Sequence, residues 1–221
     1  EGEKTVRYFN GDYDHIRIDH NGYMPETNRN NNIMRTKGVF KTTEPIKPQI
    51  IGSLYHPEKT QIFFHPILNY NIYNKHSYGL KIYNQFLPKG GFAYKVIPLY
   101  SNGTKDFTGE IKLSYKKFSQ TAKYHSLTLS VDARQYLYDY NKEYTRIMPQ
   151  LNIEFKKPSL RSKIYKYLNA SYVHLVKEEE TLGFINAQFG YANNRTINPF
   201  SAYSSIEKGY NYSKIQLGGF F

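Results

Sequence analysis

Residues 107–118 read F-T-G-E-I-K-L-S-Y-K-K-F, and this stretch decides the fold class of the chain. Apolar side chains recur there at every second position, with one glycine among them, and polar or charged side chains fill the places between. The apolar set is Phe107, Ile111, Leu113 and Tyr115, and the polar set is Thr108, Glu110, Lys112, Ser114 and Lys116. Because successive side chains of a β-strand point to opposite faces, the stretch predicts a strand with one apolar and one polar face.

The same alternation returns along the chain. In residues 147–156, Ile147, Pro149, Leu151, Ile153 and Phe155 alternate with Met148, Gln150, Asn152, Glu154 and Lys156. Further apolar series are Ile62, Phe64, Pro66, Leu68 and Tyr70; Phe92, Tyr94, Val96, Pro98 and Tyr100; Leu127, Leu129, Val131 and Ala133; Ile185, Ala187, Phe189 and Tyr191; and Ile215, Leu217 and Phe221. The opposite positions include Lys95, Asp132, Arg134, Asn186, Gln188, Lys214 and Gln216. No helical periodicity accompanies these series, so the sequence predicts an antiparallel all-β fold.

Turn-forming and charged residues at short intervals divide the chain into about ten predicted strands. These strands cover residues 47–56, 61–73, 78–87, 92–101, 107–118, 125–140, 145–156, 162–176, 182–192 and 210–221. The longest predicted loop spans residues 193–209. Residues 1–45 contain an Asn-rich run at 28–32 together with Gly22, Pro25, Gly38 and Pro45, and we assign them to the tail of a preceding soluble domain plus a linker. Residues 46–221 form the predicted β-barrel.

Composition excludes several classes of protein. No run approaches the roughly 18 consecutive apolar residues of a spanning helix, and residues 1–4 show no signal-peptide pattern. The absence of Cys excludes disulfides, thiolate metal sites and cysteine nucleophiles. The net charge of +12 fits an anionic partner such as nucleic acid, phospholipid or lipopolysaccharide, although basic residues spread along strands more often solvate one face.

Strand length favours a membrane barrel over a soluble one. Strands in soluble sheets usually have about five or six residues, whereas a tilted membrane-spanning strand needs about nine to eleven. The chain has 23 Tyr and 14 Phe, many near predicted strand ends, as in an aromatic girdle. A soluble lipocalin-like barrel would turn the apolar face inward instead. Pro66, Pro98 and Pro149 oppose a closed barrel, since proline lacks the donor that a paired strand uses.

Candidate sites in the sequence have simpler explanations. Asp12, Asp14, His15, Asp19 and His20 include metal-ligating residue types, but on a strand their spacing divides them between two faces. Glu110 and Glu154 are expected to form ion pairs with Lys112 and Lys156 on the polar face rather than a catalytic pair of carboxylates. No Ser-His-Asp arrangement has a strand-turn-helix context. The sequence therefore predicts no catalytic, cofactor-binding or metal-binding residue, and no cofactor.

Several segments resemble one bacterial family. They are D-H-N-G-Y-M-P-E-T-N-R-N-N at residues 19–31, Y-G-L-K-I-Y-N at 78–84, L-P-K-G-G-F at 87–92 and I-P-L-Y at 97–100. The chain is similar to the C-terminal region of large Bacteroidetes proteins in which an aminopeptidase-N-like zinc metallopeptidase domain precedes an outer-membrane β-barrel. The first segment closes the soluble part in that family, and the others belong to the barrel.

The resemblance implies a non-catalytic barrel that anchors a metallopeptidase-like domain preceding it. None of the seven His residues lies in the H-E-x-x-H motif that binds zinc in such peptidases, so no catalytic residue is carried over. The implied partners are outer-membrane lipid and lipopolysaccharide, the barrel-assembly machinery and the peptidase domain in cis, with no nucleic acid. The implied location is the outer membrane of a Gram-negative bacterium. A soluble ligand-binding β-barrel or a small outer-membrane channel is the alternative.

Overall fold

The computed structural model describes residues 7, 9, 11–21, 23–25, 32–37, 46–54, 56, 59–85, 91–139, 142–159, 161–178 and 180–221. The regular elements within these residues are all β-strands, so the predicted all-β fold class is confirmed. The strands are β1 (His15–Arg17), β2 (Ile33–Arg35), β3 (Ile46–Ile50), β4 (Thr60–Asn71), β5 (Lys75–Tyr83), β6 (Phe92–Ser101), β7 (Phe107–Phe118), β8 (Tyr124–Asp139), β9 (Lys142–Phe155), β10 (Ile164–Lys177), β11 (Glu180–Asn193), β12 (Phe200–Gly209) and β13 (Ser213–Phe220). The described residues contain no helix with the length and apolar character needed to cross a membrane.

One large sheet contains eleven of the strands, from β3 at one edge to β13 at the other, in sequence order. Every neighbouring pair is antiparallel except β3 and β4, which are parallel. The short strands β1 and β2 pair separately. Among the described residues no pairing joins β3 to β13, so the sheet is open and closure into a barrel is not observed.

The strand register places the predicted apolar series on a single face of the sheet. One row across seven strands joins Tyr115, Leu129, Leu151, Ala170, Ala187, Ile206 and Ile215. The next row on the opposite face joins Ser114, Ser130, Gln150, Ser171, Asn186, Glu207 and Lys214. We call these the apolar face and the polar face. The alternation read from residues 107–118 therefore continues across the sheet.

Two predicted segments were wrong. The predicted loop at residues 193–209 contains β12, which is rich in serine and lacks the regular large apolar residues that mark the other strands. The first predicted strand, at residues 47–56, is shorter in the structure, because β3 ends at Ile50. It also runs parallel to β4 instead of forming a hairpin with it.

The described strands contain four prolines, and Pro66, Pro98 and Pro149 lie where the missing donor removes pairing on one side only; the fourth, Pro48, lies in the edge strand β3. Pro98 faces a gap in the ladder between β5 and β6, where pairing stops at Leu99 and resumes at Val96. Pro149 faces a gap of the same length in the ladder between β9 and β10. Pro66 lies beyond the end of the parallel strand β3. Pro98 also pairs with Gly109, whose φ of 143° is a conformation open to glycine but not to other residues. The predicted conflict between proline and a paired sheet is resolved locally.

The sheet bends toward its polar face. The amide of Asn71, at the end of β4, donates a hydrogen bond to the carbonyl of Leu137 near the end of β8, at 3.4 Å, although three strands separate β4 from β8. Phe63, Ile97 and Leu99 are buried on this face, and Phe63 packs on the ring of Tyr83 with centroids 5.2 Å apart. Three of the four buried hydrophobic side chains among the described residues therefore lie on the same face as the polar side chains.

Tyrosine and glycine alternate across the polar face where strands β10 to β13 meet. The register joins Tyr167, Gly190, Tyr203 and Gly218 in one row. A Cβ atom on Gly190 would lie 2.2 Å from Cζ of Tyr167, and one on Gly218 would lie 2.4 Å from Cε1 of Tyr203. Each ring therefore covers the neighbouring glycine, which reduces crowding on the face toward which the sheet bends.

The connections at the two ends of the sheet differ in length. Those joining β4 to β5, β6 to β7, β8 to β9, β10 to β11 and β12 to β13 have two to five residues, whereas those at the opposite end have five to eight. In the turn after β12, the Tyr212 hydroxyl donates to Glu207 at 2.8 Å. This hydrogen bond to a carboxylate raises the pKa of Tyr212 above its usual value.

Candidate functional site on the polar face

Ionised side chains concentrate at the centre of the polar face, on four neighbouring strands. We call this group the charged cluster. It consists of Lys95 on β6, Glu110 and Lys112 on β7, Asp132 and Arg134 on β8, and Arg146 on β9. Side chains alternate between the two faces along each strand, and all six residues occupy positions that point to the polar face. Antiparallel pairing brings the four strands side by side.

Asp132 is the centre of the charged cluster. Its side chain is only 5% exposed, and its Oδ1 accepts hydrogen bonds from Nε of Arg134 at 2.9 Å and from Nη2 of Arg146 at 2.8 Å. A carboxylate this buried requires such partners, because an unpaired charge away from water is costly. The two guanidinium groups therefore hold Asp132 ionised and fixed.

Glu110 forms the second centre of the cluster. It accepts a hydrogen bond from the Lys95 ammonium, and its other oxygen lies 3.8 Å from Nε of Arg134. Arg134 therefore connects both carboxylates, and the ion pairs form one continuous network. Networks of this kind restrict side-chain motion more than isolated surface pairs do.

Like charges face each other directly at two places in this network. Lys95 is the register partner of Lys112, and Arg134 is the register partner of Arg146. Cross-strand pairs of like charge are unfavourable unless an anion compensates them. Asp132 compensates the arginine pair, whereas Glu110 compensates only Lys95 in the lysine pair. No ion pair of Lys112 occurs among the described residues.

A second hydrogen-bonded group surrounds Glu154 on the same face. Its carboxylate accepts from the Ser126 hydroxyl at 2.8 Å and from the Tyr165 hydroxyl at 3.1 Å, and Lys116 lies 3.8 Å away. The predicted partner Lys156 instead donates to the backbone carbonyl of Gln120. Likewise, Glu110 pairs with Lys95 and Arg134 rather than with Lys112. Both glutamates therefore form ion pairs on the polar face, as expected, but with cations other than Lys112 and Lys156.

Polar contacts continue toward the β13 edge without ionised clusters. Asn152 donates to Asn169, Ser130 to Gln150 at 3.4 Å, Asn186 to Glu207 at 3.5 Å, and Ser205 to Gln216 at 3.5 Å. These cross-strand contacts keep the face hydrophilic from β8 to β13.

The apolar face is the more exposed of the two. Ile111 is 46% exposed and Leu217 is 80% exposed, whereas the Glu110 side chain is 14% exposed. The apolar face also carries a groove of about 600 Å³. Its lining includes Leu113, Leu129, Leu151, Tyr172 and Ile185. This order of burial is the reverse of that in a soluble globular protein.

Aromatic pairs lie near the strand ends. At the end with short connections, the rings of Tyr70 and His76 are 5.2 Å apart, and those of Tyr100 and Phe107 are 5.4 Å apart. At the opposite end, Tyr191 stacks on Phe200 at 5.5 Å, and Phe118 and His125 are 5.6 Å apart.

The residues considered for a metal site do not form one in the described part of the chain. Asp12, Asp14, His15 and His20 are exposed, and the described residues contain no group of three His, Asp or Glu side chains placed to share an ion. Asp19 instead accepts hydrogen bonds from the backbone of Tyr23 at 2.9 Å and Met24 at 2.8 Å.

Sequence reasoning missed most of the charged cluster as a unit. Lys95, Asp132 and Arg134 were recognised only as polar-face positions, and Arg146 was not singled out. The missing information was the register between strands, which brings together residues as distant in sequence as Lys95 and Arg146. A signal was present: on four consecutive predicted strands, the centre of the polar series carries ionised residues.

Comparisons with known proteins do not identify the chain. No family model matches it, and no curated protein and no solved structure is significantly similar to it. Residues 26–31 and 86–90, which carry part of the resemblance to Bacteroidetes peptidase proteins, lie outside the described residues. The resemblance therefore stays a prediction.

Proposed function

We propose that the chain forms wall strands of an outer-membrane β-barrel that is not catalytic and anchors a metallopeptidase-like domain preceding it. The observation that carries the proposal is the reversed burial of the two faces, with Leu217 and Ile111 exposed and Asp132 buried. An apolar face of this extent is stable in hydrocarbon and unfavourable in water.

The proposed mechanism is physical. In the membrane, apolar side chains such as Leu129 contact lipid, and the charged cluster faces a hydrated interior. Backbone donors and acceptors are satisfied between strands, as the bilayer demands. The proposal also requires that the free edges of β3 and β13 be paired in the membrane, because unpaired strand edges are not stable in hydrocarbon. The short connections at one end and longer ones at the other support the proposal, because barrels of this class have that asymmetry.

The absence of Trp from the chain allows a direct test of which face contacts lipid. A single tryptophan would be introduced at Leu129 on the apolar face, and the matched control would carry it at Thr128 on the polar face. Both variants would be folded into vesicles with and without brominated lipid. We expect blue-shifted emission and quenching for Leu129→Trp, and neither for Thr128→Trp. Equal quenching of both variants, or of neither, would refute the membrane orientation.

The anchoring role has its own test. The reading frame that contains these residues should encode an H-E-x-x-H helix upstream. In membrane fractions, zinc-dependent peptidase activity should accompany the chain and disappear on addition of a chelator. A frame without that motif would remove the anchoring role and leave the barrel proposal unchanged.

The groove on the apolar face favours a second candidate function. A soluble β-module could bind an apolar ligand against Leu113, Leu129 and Leu151, in the groove of about 600 Å³. Refolding without detergent into a monodisperse monomer would favour this module and exclude the membrane wall. Heat-modifiable mobility in a gel would favour the barrel, and conductance across a planar bilayer would identify a channel.

A further inference from the structure

The charged cluster contains more positive charge than its own carboxylates neutralise. Four cations, Lys95, Lys112, Arg134 and Arg146, share two anions, Glu110 and Asp132. The excess is produced by the two like-charge pairs, which bring cationic groups from neighbouring strands to one place. A further anion would therefore reduce the repulsion that remains within the cluster.

Two donors in the cluster have unused capacity. Lys112 is exposed and forms no ion pair or hydrogen bond among the described residues, although its register partner is Asp132. Nε of Arg146 is buried and has no acceptor. A buried N–H group without an acceptor is uncommon in folded proteins, because it loses its bonds to water and gains none.

We infer that the polar face binds a small oxyanion, a phosphate or a carboxylate group, between Lys112, Arg134 and Arg146. The side chain of Arg134 is 39% exposed and that of Arg146 is 28% exposed, so a solute can reach the cluster from the polar face of the sheet. Oδ1 of Asp132 accepts from Nε of Arg134 and Nη2 of Arg146, and Oδ2 accepts from Nη2 of Arg134 at 3.5 Å. No hydrogen bond of Nη1 of either arginine occurs among the described residues, so these groups are available to a ligand. Planar guanidinium groups suit the paired oxygens of a carboxylate or phosphate, and Lys112 adds a mobile charge.

Partial burial strengthens this binding. Coulomb attraction increases as the effective dielectric constant falls, and the side chain of Asp132 at the centre of the cluster is only 5% exposed. The inference goes beyond the proposed function, because it depends on the polar face alone and holds in a membrane or in water.

The test measures oxyanion binding to the folded full chain by isothermal titration calorimetry at constant ionic strength. Inorganic phosphate and acetate are the two probes, and they distinguish phosphate from carboxylate recognition. We expect saturable binding of at least one probe. Absence of binding of both at millimolar concentration would overturn the inference.

Variants locate the site. Lys112→Gln removes a side chain without an internal partner, so it should fold normally and weaken binding by roughly tenfold or more. Arg146→Gln should also weaken binding. It also removes a hydrogen bond to Asp132, so it is less specific than Lys112→Gln and serves as the second variant. Lys214→Gln, on the same face at the β13 edge, is the matched control for loss of one charge, and it should bind as the parent does. Equal effects in Lys112→Gln and Lys214→Gln, or no effect in Lys112→Gln, would overturn the inference.

Discussion

Asp132 is predicted to be the side chain whose charge matters most for stability. In Asp132→Asn the shape is conserved, but the two hydrogen bonds from Arg134 and Arg146, at 2.9 and 2.8 Å, lose their anionic acceptor. Each bond should fall from the strength of a charged pair to that of a neutral one, a loss of about 1 to 1.5 kcal/mol. Both arginine side chains are partly exposed, so water screens part of the loss. After this discount we expect the free energy of unfolding to fall by about 1 to 2 kcal/mol.

Urea unfolding, followed by circular dichroism in the medium in which the chain folds, measures this change. Asp139→Asn is the control, because its carboxylate is half exposed and lies 4.0 Å from Lys142. That control should change the free energy of unfolding by less than about 0.5 kcal/mol. Adding Arg146→Gln to Asp132→Asn should recover about 1 kcal/mol, since one of two facing cations is gone. Equal stability of Asp132→Asn and Asp139→Asn would refute the reasoning.

Three further predictions test packing and orientation. Gly190→Val should cost about 1 to 3 kcal/mol in urea unfolding, because the new side chain meets the ring of Tyr167; an unchanged midpoint would contradict this packing. Phe63→Ala should cost about 3 to 5 kcal/mol and Leu217→Ala less than about 1, because only Phe63 is buried; the reverse order would contradict the assigned faces. Leu129→Arg should destabilise the chain in lipid vesicles by about 2 to 4 kcal/mol, and unimpaired folding there would contradict the membrane proposal.

The two faces of the sheet were predictable from the sequence because they depend on local geometry alone. A strand has a side-chain period of two residues, so Ile111 and Leu113 share a face wherever the strand lies. Antiparallel pairing then continues the face, as the row from Tyr115 to Ile215 shows. The large apolar side chains that mark most strands made the alternation readable.

Partners across the sheet could not be read in the same way. Which lysine reaches Glu110 depends on the register between β6 and β7, which side-chain alternation does not fix. Strand β12 escaped prediction because serine and alanine occupy positions where neighbouring strands carry large apolar residues. The parallel pairing of β3 with β4 involves only five residues, too few for the sequence to distinguish it from a hairpin.

The buried hydrophobic core of the described residues is small. Among the described residues the buried hydrophobic side chains are Phe63, Ile97, Leu99 and Leu137, a small core for a chain of this length. Hydrophobic burial is the main favourable term in folding, so the backbone ladders and the charged cluster alone would leave the sheet poorly stabilised in water. The apolar side chains that could supply this term lie on the exposed face. Under the proposed function, lipid against that face supplies the missing hydrophobic term.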